Sequence, residues 1–259
     1  MVDPLPEEAR PWRFLQAIAF VASAALATAA LRFAWREPFI AAGLLGGALT
    51  FLASRWLARR RLRTALRAGD VHSVIDRWSP SLERIPHAAT MGPLMMATAF
   101  AAYGWVDQAR AALAAAERGP AWEAALDHRL FLSALLLTFE GDGEGALKEA
   151  GRLARLPLPA SGAATQSRIV MLRAAIGALT RAFAHCSQAG DGEMLERASE
   201  ASPLVFWAMR YAAAVVAIDH GDPTRALSLL AGAPAWPEQS SFRAFHDEIV
   251  AEAAITPQR

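Results

Sequence analysis

The chain has 259 residues, a mean hydropathy of +0.21, a formal net charge of +1 and one cysteine. The lone Cys186 excludes an internal disulfide, so nothing demands an oxidising compartment. The small net charge hides an asymmetry: residues 1–67 hold 10 Arg against 4 acids, and residues 68–259 hold 16 Arg and Lys against 21 acids. The larger, acidic portion lacks the basic face that phosphate contacts need, which argues against nucleic-acid binding.

At the N-terminus, Trp12, Trp35 and Trp56 bracket two runs without charge, residues 14–31 and 38–54. A helix rises about 1.5 Å per residue, so roughly 20 residues cross the hydrocarbon core. Each run with its flanks reaches that length, and indole rings favour the headgroup boundary. The expectation is a membrane anchor over residues 1–57, with transmembrane helices at about 14–34 and 38–57. Arg10 and Arg13 precede the first run, and Arg55, Arg59, Arg60, Arg61, Arg63 and Arg67 follow the second. Positive flanks stay cytoplasmic, which places both termini on the cytoplasmic side of a bacterial inner membrane. The same arginines suit anionic lipid. Ala27-Thr28-Ala29 resembles a cleavage site, but Asp3, Glu7 and Glu8 make a poor signal n-region.

Gly43 and Gly47 form a GxxxG pair in the second run. Such spacing lets helices approach closely, either within the hairpin or between two copies as a homodimer. Residues 87–106 lack Asp, Glu, Lys and Arg, yet Gly92-Pro93 and Tyr103-Gly104 shorten the usable helix. They read as a buried helix rather than a third span.

From residue 58 to 259 a second domain is expected. Gly69-Asp70, Gly141-Asp142, Gly190-Asp191 and Gly221-Asp222 each separate two helical runs, and Gly104-Trp105-Val106-Asp107 makes a fifth break. Gly suits the left-handed residue ending a helix and Asp the N-cap of the next. The glycines stand 35, 37, 49 and 31 residues apart. A period in the mid-thirties with two helices per unit marks an α-solenoid. Residues 156–166 are the most loop-like segment and account for part of the long interval. Residues 240–254 form an amphipathic terminal helix that would cap the stack.

Small residues flank these glycines at regular offsets: Ala97, Gly104, Ala109 and Pro120; Ala134, Gly141, Ala146 and Pro157; Ala214, Gly221, Ala226 and Pro237. This pattern resembles the tetratricopeptide repeat (TPR) over roughly residues 58–237. The units around Gly69 and Gly190 carry Leu62 and Val74, and Phe183 and Leu195, at the small positions. The resemblance implies an all-α fold: a transmembrane helical hairpin followed by a TPR-like solenoid of antiparallel helix pairs. It also implies a partner groove lined by the first helix of each pair: Met91, Leu94, Thr98, His128, Phe131, Leu135, Phe139, Tyr211 and Val215. The Lys/Asn set with which some family members clamp a terminal carboxylate is absent, so the groove favours another protein's amphipathic helix or apolar peptide.

No catalytic constellation stands out. Gly141–Gly145 lacks the Lys-Ser/Thr of a phosphate loop. His185 and Cys186 are adjacent, so on a helix they diverge by about 100° and have no partner at ligand spacing. His220 and His246 lie beside Asp222 and Asp247, where caps or surface pairs explain them. No cofactor, metal or enzymatic activity is expected. The functional expectation is a membrane-anchored scaffold for protein–protein interaction. The alternative is an accessory subunit of a transport, secretion or haem-biosynthesis-associated complex that binds through its hairpin.

Overall fold

The computed structural model describes residues 38–160 and 162–255, and the expected first span with Trp12 and Trp35 lies outside them. Among the described residues every regular element is helical. The chain separates into two units, Met1–Arg61 and Leu62–Arg259. The helices are α1 (Pro38–Arg67), α2 (Val71–Leu82), α3 (Ala88–Ala102), α4 (Val106–Glu117), α5 (Leu126–Phe139), α6 (Gly143–Arg155), α7 (Ala163–Phe183), α8 (Asp191–Ala201), α9 (Phe206–Asp219), α10 (Pro223–Leu230) and α11 (Ser241–Ile255). Short 3-10 turns at Glu123–Ala125 and Pro203–Val205 lead into α5 and α9.

In the first unit, the described part of α1 carries Phe39, Leu45, Leu49, Phe51, Leu52 and Trp56, all exposed, Phe39 by 87%. At 100° per residue Leu45, Leu49, Leu52 and Trp56 fall within about 60° of one another, while Phe39 and Phe51 extend the apolar surface to other faces. Gly43, Gly46 and Gly47 have nothing within 4 Å of an added Cβ. Among the described residues no single helix is long and apolar enough to cross a membrane. The uncharged segment 87–106 yields α3, 15 residues long and largely buried. Pro93 lies inside α3 instead of limiting it, because the helix continues on both sides of the one missing N–H.

The helix breaks in the second unit follow local chemistry. Asp70, Asp142 and Asp222 cap α2, α6 and α10 by accepting the backbone N–H of Ser73, Gly145 and Arg225. Asp191 departs from this pattern: it is the first residue of α8, and Gly190 takes the cap position. Its carboxylate is buried, accepts the Gln188 N–H at 2.8 Å and forms a bidentate pair with Arg181 at 2.6 and 2.9 Å. Burial raises the Asp191 pKa, but the Arg181 and Gln188 hydrogen bonds outweigh that and hold it below the usual carboxylate value. The long interval between Gly141 and Gly190 is taken up by the 21 residues of α7, which begins inside the expected loop at Ala163. Alanines and Gln166 there favour helix once Gly162 has provided the break.

The packing order is regular. Helices α3, α5, α7 and α9 touch in sequence, and α9 also touches α3, so this inner row returns to its start. Helices α4, α6, α8 and α10 pack against their neighbours in the row. Ala97, Ala109, Ala134, Ala146, Ala214 and Ala226 are all completely buried. A methyl group at each crossing lets two helices pack closely, which a larger side chain would prevent.

Two glycines hold this closure. Gly69 and Gly104 have φ of +77° and +73°, and their Cα faces meet the segment before α11. A Cβ on Gly69 would lie 2.7 Å from Pro234, and one on Gly104 would lie 2.9 Å from Ser240 Oγ. Both the left-handed conformation and the contact require glycine. The Ser240 hydroxyl donates to the Tyr103 carbonyl at 2.7 Å, and the Ser241 N–H donates to the Gly104 carbonyl at 2.9 Å. The last carbonyls of α1 are met nearby: Tyr103 Oη donates to Leu66 at 2.7 Å and Trp207 Nε1 to Arg67 at 3.0 Å. These donors satisfy groups that a helix end otherwise leaves orphaned.

Candidate functional site

Two of the clefts that the inner row borders lie toward opposite ends of its helices. The first is formed toward the N-terminal ends of α5 and α7. It encloses about 280 Å³ between Met95 and Thr98 of α3, His128 and Phe131 of α5, Ile169 and Leu172 of α7, and Leu204 and Val205 before α9. Its polar corner is Arg173, 7% exposed, which donates to the Leu156 carbonyl at 2.6 Å and to Asp127 at 2.7 Å. A third bond reaches the Pro157 carbonyl at 3.3 Å. The guanidinium is therefore occupied, and beyond Thr98, His128 and Ser202 the remaining lining is apolar.

The second cleft, about 310 Å³, lies at the C-terminal ends of α5, α7 and α9. Helix α11 crosses there and inserts Phe242 and Phe245. The Phe242 ring lies 5.3 Å from Phe139 and 4.9 Å from Tyr211, and the Phe245 ring lies 5.0 Å from Phe183. Tyr211 is the hub beneath: its hydroxyl accepts from Trp236 Nε1 at 2.7 Å and faces His246 Nδ1 at 3.1 Å. Burial pushes the hydroxyl pKa of Tyr211, and likewise of Tyr103, well above the usual value.

The groove residues expected from the repeat pattern divide sharply. Leu94, Leu135 and Tyr211 are fully buried between helices. Phe139 and Val215 are buried but line the α11 cleft, while His128 and Phe131 line the open one. Met91 is half-buried against the core. On α1, Arg55, Arg60, Arg61, Arg63 and Trp56 are exposed, with Arg55 over Phe51 at 5.7 Å and Arg60 over Trp56 at 5.5 Å. The side chain of Arg59 lies outside the described residues.

Ile169, Leu172 and Arg173 were not legible as groove residues, because the unit that supplies them breaks the repeat spacing. A usable signal was the apolar spacing Ile169, Leu172, Ile176 and Leu179 on the long helix. Among the described residues no group of three or more His, Cys, Asp or Glu is arranged to hold a metal. Comparison of the chain with family models, with curated proteins and with solved structures gives no match.

Proposed function

We propose that the chain is a membrane-anchored, TPR-like helical adaptor that binds another protein at the cytoplasmic face of a bacterial inner membrane. The observation that carries this proposal is the contrast in apolar exposure. The second unit buries most of its large apolar side chains and exposes a scattered few, such as Leu158, Val170 and Leu227, whereas α1 exposes Phe39, Leu45, Leu49, Phe51, Leu52 and Trp56 within 18 consecutive residues. Leaving six such groups in water forfeits on the order of 10 kcal/mol of burial, which a bilayer would supply. The arginines after residue 54 then mark the headgroup side.

Support for the adaptor role comes from the four inner helices, the buried small residues at their crossings, and the apolar cleft at His128 and Phe131. A peptide helix laid in that cleft would bury apolar surface on both partners. Phe131→Asp is expected to abolish crosslinking of a partner to the cleft while leaving helicity unchanged by circular dichroism. Unchanged capture would remove the cleft from the binding surface. A reporter fused after Arg259 tests the orientation, and an extracytoplasmic signal would overturn it.

One observation favours the alternative, an accessory subunit that binds through its hairpin. The space around Gly43, Gly46 and Gly47 is open, so another helix, or a second copy, could approach that face closely. Exchanging residues 1–54 for an unrelated anchor separates the two: an adaptor retains its partner and an intramembrane subunit loses it.

A further inference from the structure

Helix α1 concentrates charge of one sign at one level. The sequence has no Asp or Glu between Glu37 and Asp70, and the uncharged residues 38–54 give way directly to Arg55, Arg59, Arg60 and Arg61. At 100° per residue, Arg55, Arg60 and Arg61 divide the circumference into arcs of about 140°, 100° and 120°, and they span about 9 Å of axis. All three side chains are exposed. Arg55 lies over Phe51 at 5.7 Å and Arg60 over Trp56 at 5.5 Å. Ring contacts of this kind leave the guanidinium charge in place. Among the described residues, Arg55 and Arg61 have no carboxylate partner. The second unit treats many of its arginines differently, matching Arg110 with Glu140, Arg173 with Asp127, Arg181 with Asp191 and Arg225 with Glu196. A protein or nucleic-acid partner meets a helix from one side, whereas a lipid leaflet surrounds it. Charge on every side at one level, directly after an apolar stretch, is the arrangement that a layer of headgroups matches.

We propose, resting on the membrane-anchored reading above, that Arg55 and Arg61 hold the phosphates of anionic lipid headgroups on different sides of α1, so that the chain gathers a shell of anionic lipid. A guanidinium pairs with phosphate oxygens through two parallel hydrogen bonds, and an anionic headgroup brings no cation of its own to offset them. The 17 uncharged residues 38–54 span about 25 Å, short of the ~30 Å hydrocarbon core. That shortfall draws Arg55 to the phosphate level, with its methylene stem in the apolar edge. Arg60 adds its charge at the same level while keeping its contact with Trp56.

The test places the full chain in phosphatidylcholine vesicles that contain a minority of phosphatidylglycerol. Spin-labelled probes then measure how much of each lipid is held at the protein. Phosphatidylglycerol is expected in excess over phosphatidylcholine. Arg55→Gln with Arg61→Gln is expected to reduce that excess about fivefold. Helicity by circular dichroism stays unchanged, because Gln and Arg have similar helix propensity. Arg225→Gln, in the second unit, leaves the excess as it was. An excess that survives the double variant, or none in the unaltered chain, overturns the proposal. So does loss of the excess to inorganic phosphate beyond the loss to sodium chloride of equal ionic strength, which would make the ligand free phosphate. Vesicle flotation in alkaline carbonate separates this proposal from the anchor beneath it. A chain that floats with pure phosphatidylcholine but shows no lipid preference keeps its anchor and loses only the lipid shell. A chain that floats with neither vesicle loses both.

Discussion

The two ends of the inner helix row are built from the same helices and have opposite fates. At the end near Phe131, α3, α5 and α7 leave an apolar cleft whose charged group is internally paired. At the end near Phe139, the same α5 and α7 meet α11, which occupies part of the apolar space and brings carboxylates to the rim of the cleft that remains. The same helices therefore do not determine both end surfaces of the row. A single terminal helix changes the lining at one end only.

The strongest way to break this contrast is to destroy both ends together. Leu135 is fully buried in the middle of α5, so Leu135→Asp places an unpaired carboxylate in the core. A loss of more than about 4 kcal/mol is expected, read as collapse of the thermal unfolding transition. A folded Leu135→Asp protein would mean that Leu135 faces a groove after all.

Phe242→Ala acts on the covered end alone. Phe242 is completely buried among Phe139, Tyr211 and Trp236, and its truncation should cost about 3–5 kcal/mol. Limited proteolysis should then cut between Leu230 and Ser241 first. Protection of that segment would show that α11 is held by other contacts.

Arg173→Ala acts on the open end. It leaves the Leu156 carbonyl and Asp127 without their donor, at a cost of about 2 kcal/mol because Asp127 is 44% exposed. Urea unfolding measures this, and Arg173→Lys should recover only part, since one ammonium cannot hold three oxygens in a fork.

The smallest effect is spectroscopic. Tyr103 and Tyr211 are the only tyrosines, and burial raises both above the ordinary tyrosine value. A raised acid pKa contributes stability that is full below the unfolded value and lost as pH rises toward the folded one. Tyrosinate absorbance should therefore stay flat through pH 10 and appear together with unfolding. A normal titration near pH 10 in the folded protein would mean that α11 and its preceding segment do not seal the site.

Much of the helix pattern was readable because its causes are local. Asp70, Asp142 and Asp222 cap helices through hydrogen bonds spanning three residues. Asp191 departs for a reason the local dipeptide does not carry: a half-buried arginine, Arg181, holds its carboxylate away from the cap. The small residues at the helix crossings were legible because close approach tolerates few side chains. The groove was only half legible. Periodicity shows that Leu135 and Phe131 both belong to α5, but not which one faces a neighbour and which a cavity.

By itself the sequence determined the all-helical class, the positions of most breaks, and an apolar stretch ahead of an arginine-rich one. Those follow from hydrogen bonds and side-chain sizes that act within one or two turns. Only the tertiary structure decided that α9 returns to α3, that Gly69 and Gly104 accommodate the segment before α11, and that α11 covers one end of the row. Those outcomes depend on contacts between residues far apart in the chain, such as Tyr103 with Ser240 and Phe139 with Phe242. Many alternative pairings satisfy the same local pattern, and the shape of the assembled core selects among them.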